Sequence, residues 1–309
     1  MTGAFLTVAR QVLILFILMS LGAAANRMKM IDEHVVKGVA NIVLYFVTPC
    51  VIISSFQREM NAQLIRGLFI TAAAAAASHI LAILLGRLLI HDMDREREIV
   101  YRFGVVFGNC GFMSLPIEQA ILGDDGVFYG AIYVAVFNVF LWTYGLKVMS
   151  EGKERITAKK LILNPGIIGL AVGVFVFALQ ITFPDIIETP IEYIADLNTP
   201  VPMIIIGYYL GNLKLTDLTQ NKRQYFSIFL RLVVVPAITI AILLPFHVDP
   251  KVLIVCAIAS SAPTAATTSM FSAKYDKDAQ MAAQMVSVST LFSLITIPLI
   301  TAAAEILAK

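Results

Sequence analysis

Residues 107–117 read Phe-Gly-Asn-Cys-Gly-Phe-Met-Ser-Leu-Pro-Ile, inside an apolar segment long enough to cross a membrane. They combine two glycines (Gly108, Gly111), an amide (Asn109), a hydroxyl (Ser114) and a helix breaker (Pro116). A lipid-facing helix needs none of these. A helix that breaks in mid-membrane and exposes its backbone to a solute needs all of them. The second half of the chain holds a counterpart, Ser260-Ser261-Ala262-Pro263-Thr264 followed by Thr267, Thr268 and Ser269, and both stretches contain Ser-x-Pro. Proline lacks the backbone donor and its ring clashes with the preceding turn, so Pro116 is expected to split its helix. The N-terminus of the half-helix that follows carries positive partial charge and favours an anion. Pro263 does the same from the opposite membrane direction. Two such ends converging near the midplane form a site for a carboxylate without a fully buried lysine or arginine.

Each residue also has a plainer reading. The prolines kink packed helices. Asn109, too costly to face lipid, hydrogen-bonds between helices. Gly108 and Gly111 let backbones approach, and the hydroxyls of Thr264, Thr267 and Thr268 bond back to their own turns. Glu118 and Arg231 are the charges set furthest inside the apolar spans. Each either snorkels to the membrane edge or works, Glu118 as a proton carrier and Arg231 as a lure for anions. Thr267 and Thr268 join Glu118 as candidates for ion coupling. His79 reads as a packed, hydrogen-bonded histidine. Cys50, Cys110 and Cys256 all fall in apolar segments with no CxxC or metal-ligand spacing, so they read as packing residues, and neither a metal nor a cofactor is expected.

The elements that must position these residues follow from hydropathy. Hydrophobic residues make up 59% of the chain and charged ones only 14%, too apolar a balance for a soluble core. The class is an all-α polytopic membrane protein. Ten spans are expected, at about 5–25, 36–56, 65–90, 101–122, 127–148, 164–183, 191–211, 225–246, 251–273 and 280–306. The first is a membrane helix rather than a signal peptide, because its apolar run is too long and its basic flank, Arg27 and Lys29, follows it. One set of alternate loops holds most of the lysine and arginine, including Arg95, Arg97, Lys153, Lys159, Lys214, Arg223 and Lys277. The other set holds only Arg58, Arg66, Lys251 and Lys309. The basic set is therefore expected in the cytoplasm and both termini outside. Basic residues scattered over short loops give no support for nucleic-acid binding.

Five spans before the basic loop at 150–163 and five after it give halves of opposite orientation, 1–149 and 164–309. Thr48-Pro49 is matched by Thr199-Pro200, 151 residues on, and Pro116 by Pro263, 147 residues on, as an inverted repeat would require.

Taken together, Gly108-Asn109-x-Gly111-Phe112-Met113-x-x-Pro116, Thr48-Pro49, Asn198-Thr199-Pro200 with Ile204-Ile205-Ile206-Gly207, Ala262-Pro263-Thr264-Ala265 with Ala273-Lys274-Tyr275, and Ser289-Thr290-Leu291 with Pro298 resemble the auxin efflux carrier family. That family includes bacterial malate and malonate permeases and belongs to the bile acid/arsenite/riboflavin transporter superfamily. The resemblance covers essentially the whole chain. It implies ten helices in two inverted five-helix repeats, with helices four and nine crossing at broken, proline-containing centres. Helices one, two, six and seven would form a scaffold and homodimer interface. Helices three, four, five, eight, nine and ten would form the moving body of an elevator. It further implies that Asn109, Pro116 and Pro263 stand at the crossing beside the substrate, with Asn198 a weaker match from the seventh helix; Gly111, Ser114 and Thr264, from the residue reading of the two interrupted stretches, complete the expected substrate-binding set. Ser114 stands where the family commonly has glycine, and Glu118 where it commonly has an apolar residue. The short 150–163 loop resembles that of bacterial members, which implies the bacterial inner membrane.

The leading expectation is a secondary carrier that moves a small organic anion, a mono- or dicarboxylate, by alternating access. An anion channel and an intramembrane enzyme are the alternatives. Neither the rhomboid GxSG nor HExxH occurs in the chain, and no GxxxxGK[ST] is present for ATP-driven pumping.

Overall fold

The computed structural model describes residues 2–154, 163–212 and 222–308. Arg155, Lys159 and Lys160 of the basic loop, Lys214 and the terminal Lys309 lie outside the described residues. Among the described residues there is no β-strand, only one isolated bridge between Gly108 and Thr264. The helices in chain order are α1 (Thr2–Arg27), α2 (Glu33–Ser55), α3 (Ala62–Leu89), α4a (Arg95–Val106), α4b (Cys110–Leu122), α5 (Asp124–Met149), α6 (Pro165–Ala178), α7a (Asp185–Ala195), α7b (Pro200–Gly211), α8 (Lys222–Phe246), α9a (Pro250–Ser261), α9b (Thr267–Lys274) and α10 (Ala279–Leu307).

Among these, α1 (from Ala9), α2, α3, α5, α8 and α10 are long and apolar enough to cross a membrane as single helices. Of the remaining four expected spans, three are interrupted, each at or beside proline or glycine, and one is shorter. The fourth and ninth are split. The sixth is α6, at 14 residues. The seventh is cut by the turn Asp196–Asn198 before Pro200.

Proline recurs in a fixed relation to π-helical turns. Pro49 follows the π turn Val43–Val47, Pro116 follows Cys110–Ser114, and Pro236 follows Leu230–Val234, two residues past the turn each time. A proline in a regular helix clashes with the carbonyl four residues back and leaves it without a donor. Widening the preceding turn to an i→i+5 pattern relieves both problems without breaking the rod. The expected break at Pro116 is therefore displaced. The π turn absorbs this proline, and the helix is interrupted upstream, at Phe107–Asn109, between α4a and α4b.

Three helix pairs approach backbone to backbone. A Cβ on Gly22 of α1 would stand 2.1 Å from the Ile204 carbonyl oxygen, and one on Gly207 of α7b would stand 1.9 Å from that of Met19. These reciprocal glycines are the small residues that let apolar helices gain dispersion contact without a hydrophobic driving force. In α6, a Cβ on Gly169 would meet Cα of Pro49 in α2 at 2.8 Å. Helix α5 lies along α4b in the same manner, with Gly126 and Gly130 against the Glu118 backbone and side chain.

Charged residues in the connections and at the helix ends beside them gather into two groups. Asp125 pairs with both Arg58 and Lys251. Separately, Asp92 pairs with Arg223 at 2.7 Å, Arg97 with Asp278 at 3.2 Å, and Glu151 with Lys277 at 2.7 Å. His79 is buried, donates Nδ1–H to the Ala75 carbonyl at 2.7 Å and stacks on Phe140. It is a packed histidine, as its place on the alanine-rich helix suggests.

Candidate functional site at the crossing of the broken helices

Where α4 and α9 are interrupted, the two segments of the chain pair antiparallel. The Asn109 N–H donates to the Pro263 carbonyl at 2.7 Å, and the Ala265 N–H donates to that of Phe107 at 2.9 Å, on either side of the Gly108–Thr264 bridge. Each break supplies what the other lacks. A helix that stops inside an apolar environment strands its last four carbonyls, and every one needs a donor.

The end of α4a can be followed carbonyl by carbonyl, and that of α9a in part. Past the last helical bond, from Phe107 N–H to Phe103, the Gly104 carbonyl accepts from the Thr264 hydroxyl at 3.2 Å. Those of Val105 and Val106 accept from Nη1 of Arg231 at 3.4 and 3.3 Å. Phe107 accepts from Ala265. On α9a, Ser260 and Ser261 donate to the Ala257 and Ile258 carbonyls at 3.2 and 3.0 Å. Arg231 then donates through Nη2 to Ala259 at 3.3 Å and through Nε to Ala262 at 2.9 Å. The Thr264 N–H donates to Oγ of Ser289 at 3.1 Å. All four hydrogen bonds of Arg231 therefore go to backbone carbonyls. It sits in the π turn of α8, is 3% exposed, and binds both half-helix ends rather than snorkelling or facing an anion. Gly108 makes the room, since a Cβ there would lie 1.8 Å from Nη2.

The other two half-helix ends differ. At the start of α4b, the Asn109 side-chain oxygen accepts from the Phe112 N–H at 3.3 Å as an N-cap. Its Nδ2 makes no hydrogen bond among the described residues. At the start of α9b, the hydroxyls of Thr267 and Thr268 are buried without a partner among the described residues. The crossing thus collects its carbonyl ends around a cation and leaves an amide donor and two hydroxyls beside its amide ends.

The other expected residues fall as follows. Thr264 is fully buried, and its N–H and hydroxyl are both engaged in the crossing. Pro263 lies in the break itself, whereas Pro116 lies in the first helical turn beyond the π turn. Ser114 is buried with its hydroxyl 3.5 Å from the Ile258 carbonyl of α9a. Gly111 is half-buried, and a Cβ there would meet nothing closer than Val134 at 4.0 Å. Glu118 is fully buried against α5, with neither carboxyl oxygen hydrogen-bonded among the described residues. Asn198 is buried in the turn Asp196–Asn198, which packs against α2 at Val43–Val47, and neither atom of its side-chain amide is hydrogen-bonded among the described residues. Sequence reasoning gave Gly104 no role and Ser289 only a place in the family motif, since what each does depends on partners far along the chain. No group of three metal-ligating side chains occurs among the described residues.

A curated relative, the uncharacterized transporter MJ1031 of Methanocaldococcus jannaschii, is 24% identical over 307 residues, covering 93% of this chain and 96% of its own. The model of a family described as membrane transport protein matches residues 7–301. With that match spanning nearly its whole length, the chain belongs to the membrane transport protein family, the auxin efflux carriers.

Proposed function

We propose that this transporter is a secondary carrier for a small organic anion, moved by alternating access beside the crossing of α4 and α9. The observation that carries the reading is the sorting of helix ends. A helix terminus bears roughly half an elementary charge, so the two amide ends of α4b and α9b together offer about one positive charge. Nδ2 of Asn109 and the hydroxyls of Thr267 and Thr268 add donors beside them. That combination suits a carboxylate, with the apolar part of the substrate left to the surrounding helices.

In this reading α4a with α4b, and α9a with α9b, each make one interrupted span, and α1 to α10 form two inverted five-helix repeats. The grouping of ion pairs supports the topology. Arg58, Asp125 and Lys251 come from connections expected outside, while Asp92, Arg97, Glu151, Arg223, Lys277 and Asp278 come from connections expected in the cytoplasm. The glycine-tight pairs α1–α7b and α2–α6 support a scaffold of those four helices, which would also form a homodimer interface. The other six would carry the site, with Glu118 as the titratable group of the moving body. The proposed setting is a bacterial inner membrane.

The test is a thermal-shift screen of the purified protein against mono- and dicarboxylates, followed by uptake of any hit into proteoliposomes. Saturable stabilisation and uptake of a carboxylate are expected. Stabilisation by amines or neutral solutes alone would overturn the anion reading.

A further inference from the structure

The carbonyl ends of the crossing pose a problem separate from the substrate. Two C-terminal ends at roughly half a negative charge each sum to about one negative charge, buried where water cannot screen it. Half-helix ends of this kind ordinarily gather a bound cation such as Na⁺. Here the guanidinium of Arg231 lies among four of those carbonyls, at 2.9 to 3.4 Å. No carboxylate among the described residues pairs with it in a salt bridge. A guanidinium has five N–H donors in a rigid fork and one positive charge. Its four hydrogen bonds reach all four carbonyls, and its charge is opposite in sign to theirs.

We propose that Arg231 is the resident cation of the crossing: a positioning residue that holds α4a to α9a and takes the place a free monovalent cation would otherwise fill. Several features fit together. The π turn of α8 presents residue 231, and the missing Cβ of Gly108 leaves space for its guanidinium plane. Its charge matches the paired ends. All four contacts are to backbone, two on each broken helix, so losing them would uncouple the two halves of the site at once. The crossing then keeps its shape with no sodium or potassium ion bound, and the carrier cycle does not draw on a cation gradient through this position. The inference rests on the transporter reading but not on the substrate's being a carboxylate.

The experiment uses purified full-length protein in lipid nanodiscs without substrate. Thermal midpoints are compared in sodium, potassium and choline chloride at equal ionic strength. For the wild type, one midpoint in all three salts is expected. A saturable rise in sodium or potassium over choline would overturn the proposal while leaving the carrier reading untouched. For Arg231→Ala, a drop of several degrees is expected, partly restored by low guanidinium chloride and not by the same concentration of urea, its neutral isostere. Equal effects of guanidinium and urea would overturn it. Should Arg231→Ala fail to fold, Arg231→Lys against Arg231→Gln decides. Charge retention predicts that lysine keeps a higher midpoint than glutamine, and a glutamine variant as stable as wild type would show that the charge has no such role.

Discussion

A methyl group on Gly108 would stand 1.8 Å from Nη2 of Arg231, 123 residues away. The guanidinium cannot yield as a surface side chain would, because its N–H groups are held by carbonyls on two helices. Gly108→Ala is therefore expected to displace Arg231 and destabilise the fold by about 1–3 kcal/mol, the usual cost of overpacking. Denaturation in detergent, read by tryptophan fluorescence or light scattering, measures it. A wild-type profile would mean that Arg231 readily adopts a second position.

Gly207 and Gly22 make a sharper steric case, since the atoms they face are backbone and cannot rotate away. Gly207→Leu should force α1 and α7b apart and reduce the yield of monodisperse protein on size exclusion. Gly38→Leu is the control, because nothing lies within 4 Å of a Cβ at that position. Equal yields of the two variants would argue against close packing of α1 on α7b.

Asn109 separates two roles in one side chain. Its oxygen caps α4b, and its Nδ2 is the proposed donor to substrate. Asn109→Asp keeps the cap and removes the donor, while Asn109→Ala removes both. Loss of a hydrogen bond to a charged group costs about 1.5–3 kcal/mol, or roughly tenfold to 150-fold in affinity. For a carboxylate identified by the thermal-shift screen, titration calorimetry should show at least this loss for Asn109→Asp, whose own charge repels the ligand, with the thermal midpoint of the unliganded protein preserved. Unchanged affinity in both variants would remove Asn109 from the site.

The two prolines should not behave alike. Pro116 sits past a π turn in a continuous rod, so Pro116→Ala lets that turn relax and should change stability by less than about 1 kcal/mol. Pro263 occupies the break, and Ala262 before it is extended, with ψ 142°. Pro263→Ala restores a donor and removes the constraint on residue 262, so carboxylate uptake should fall much further. Comparable uptake by the two variants would contradict the placement of the break in α9.

Sidedness can be read by labelling. A cysteine at Lys309 should react with an impermeant thiol reagent in intact cells, and one at Gly152 only after permeabilisation. The native Cys110 and Cys256 are buried and should contribute little background. The reverse pattern would invert the proposed topology.

What the sequence determined by itself is what short-range physics controls. Twenty apolar residues in a row choose lipid over water wherever they stand, so the membrane class and the six long apolar helices were legible from hydropathy. The glycine, amide and proline run at 107–117, and Ser261-Ala262-Pro263 with it, announced interruptions because a residue's backbone freedom and missing donor are its own properties.

The tertiary structure decided where the fourth helix actually parts and what the parted ends bind. Pro116 looked like the break, yet a π turn accommodates a proline within the rod. The chain parts instead at Phe107–Asn109, where Pro263 and Ala265 from the other half complete the backbone hydrogen bonds. Arg231 shows the same limit. Its sequence neighbours, all apolar, suggested snorkelling or a lure for anions. Only the convergence of carbonyls from Val105, Val106, Ala259 and Ala262 gives its charge a counterpart, and those residues lie 28 to 126 positions away along the chain. A stranded carbonyl in an apolar medium must find a donor, but the sequence does not say which donor the fold will bring to it.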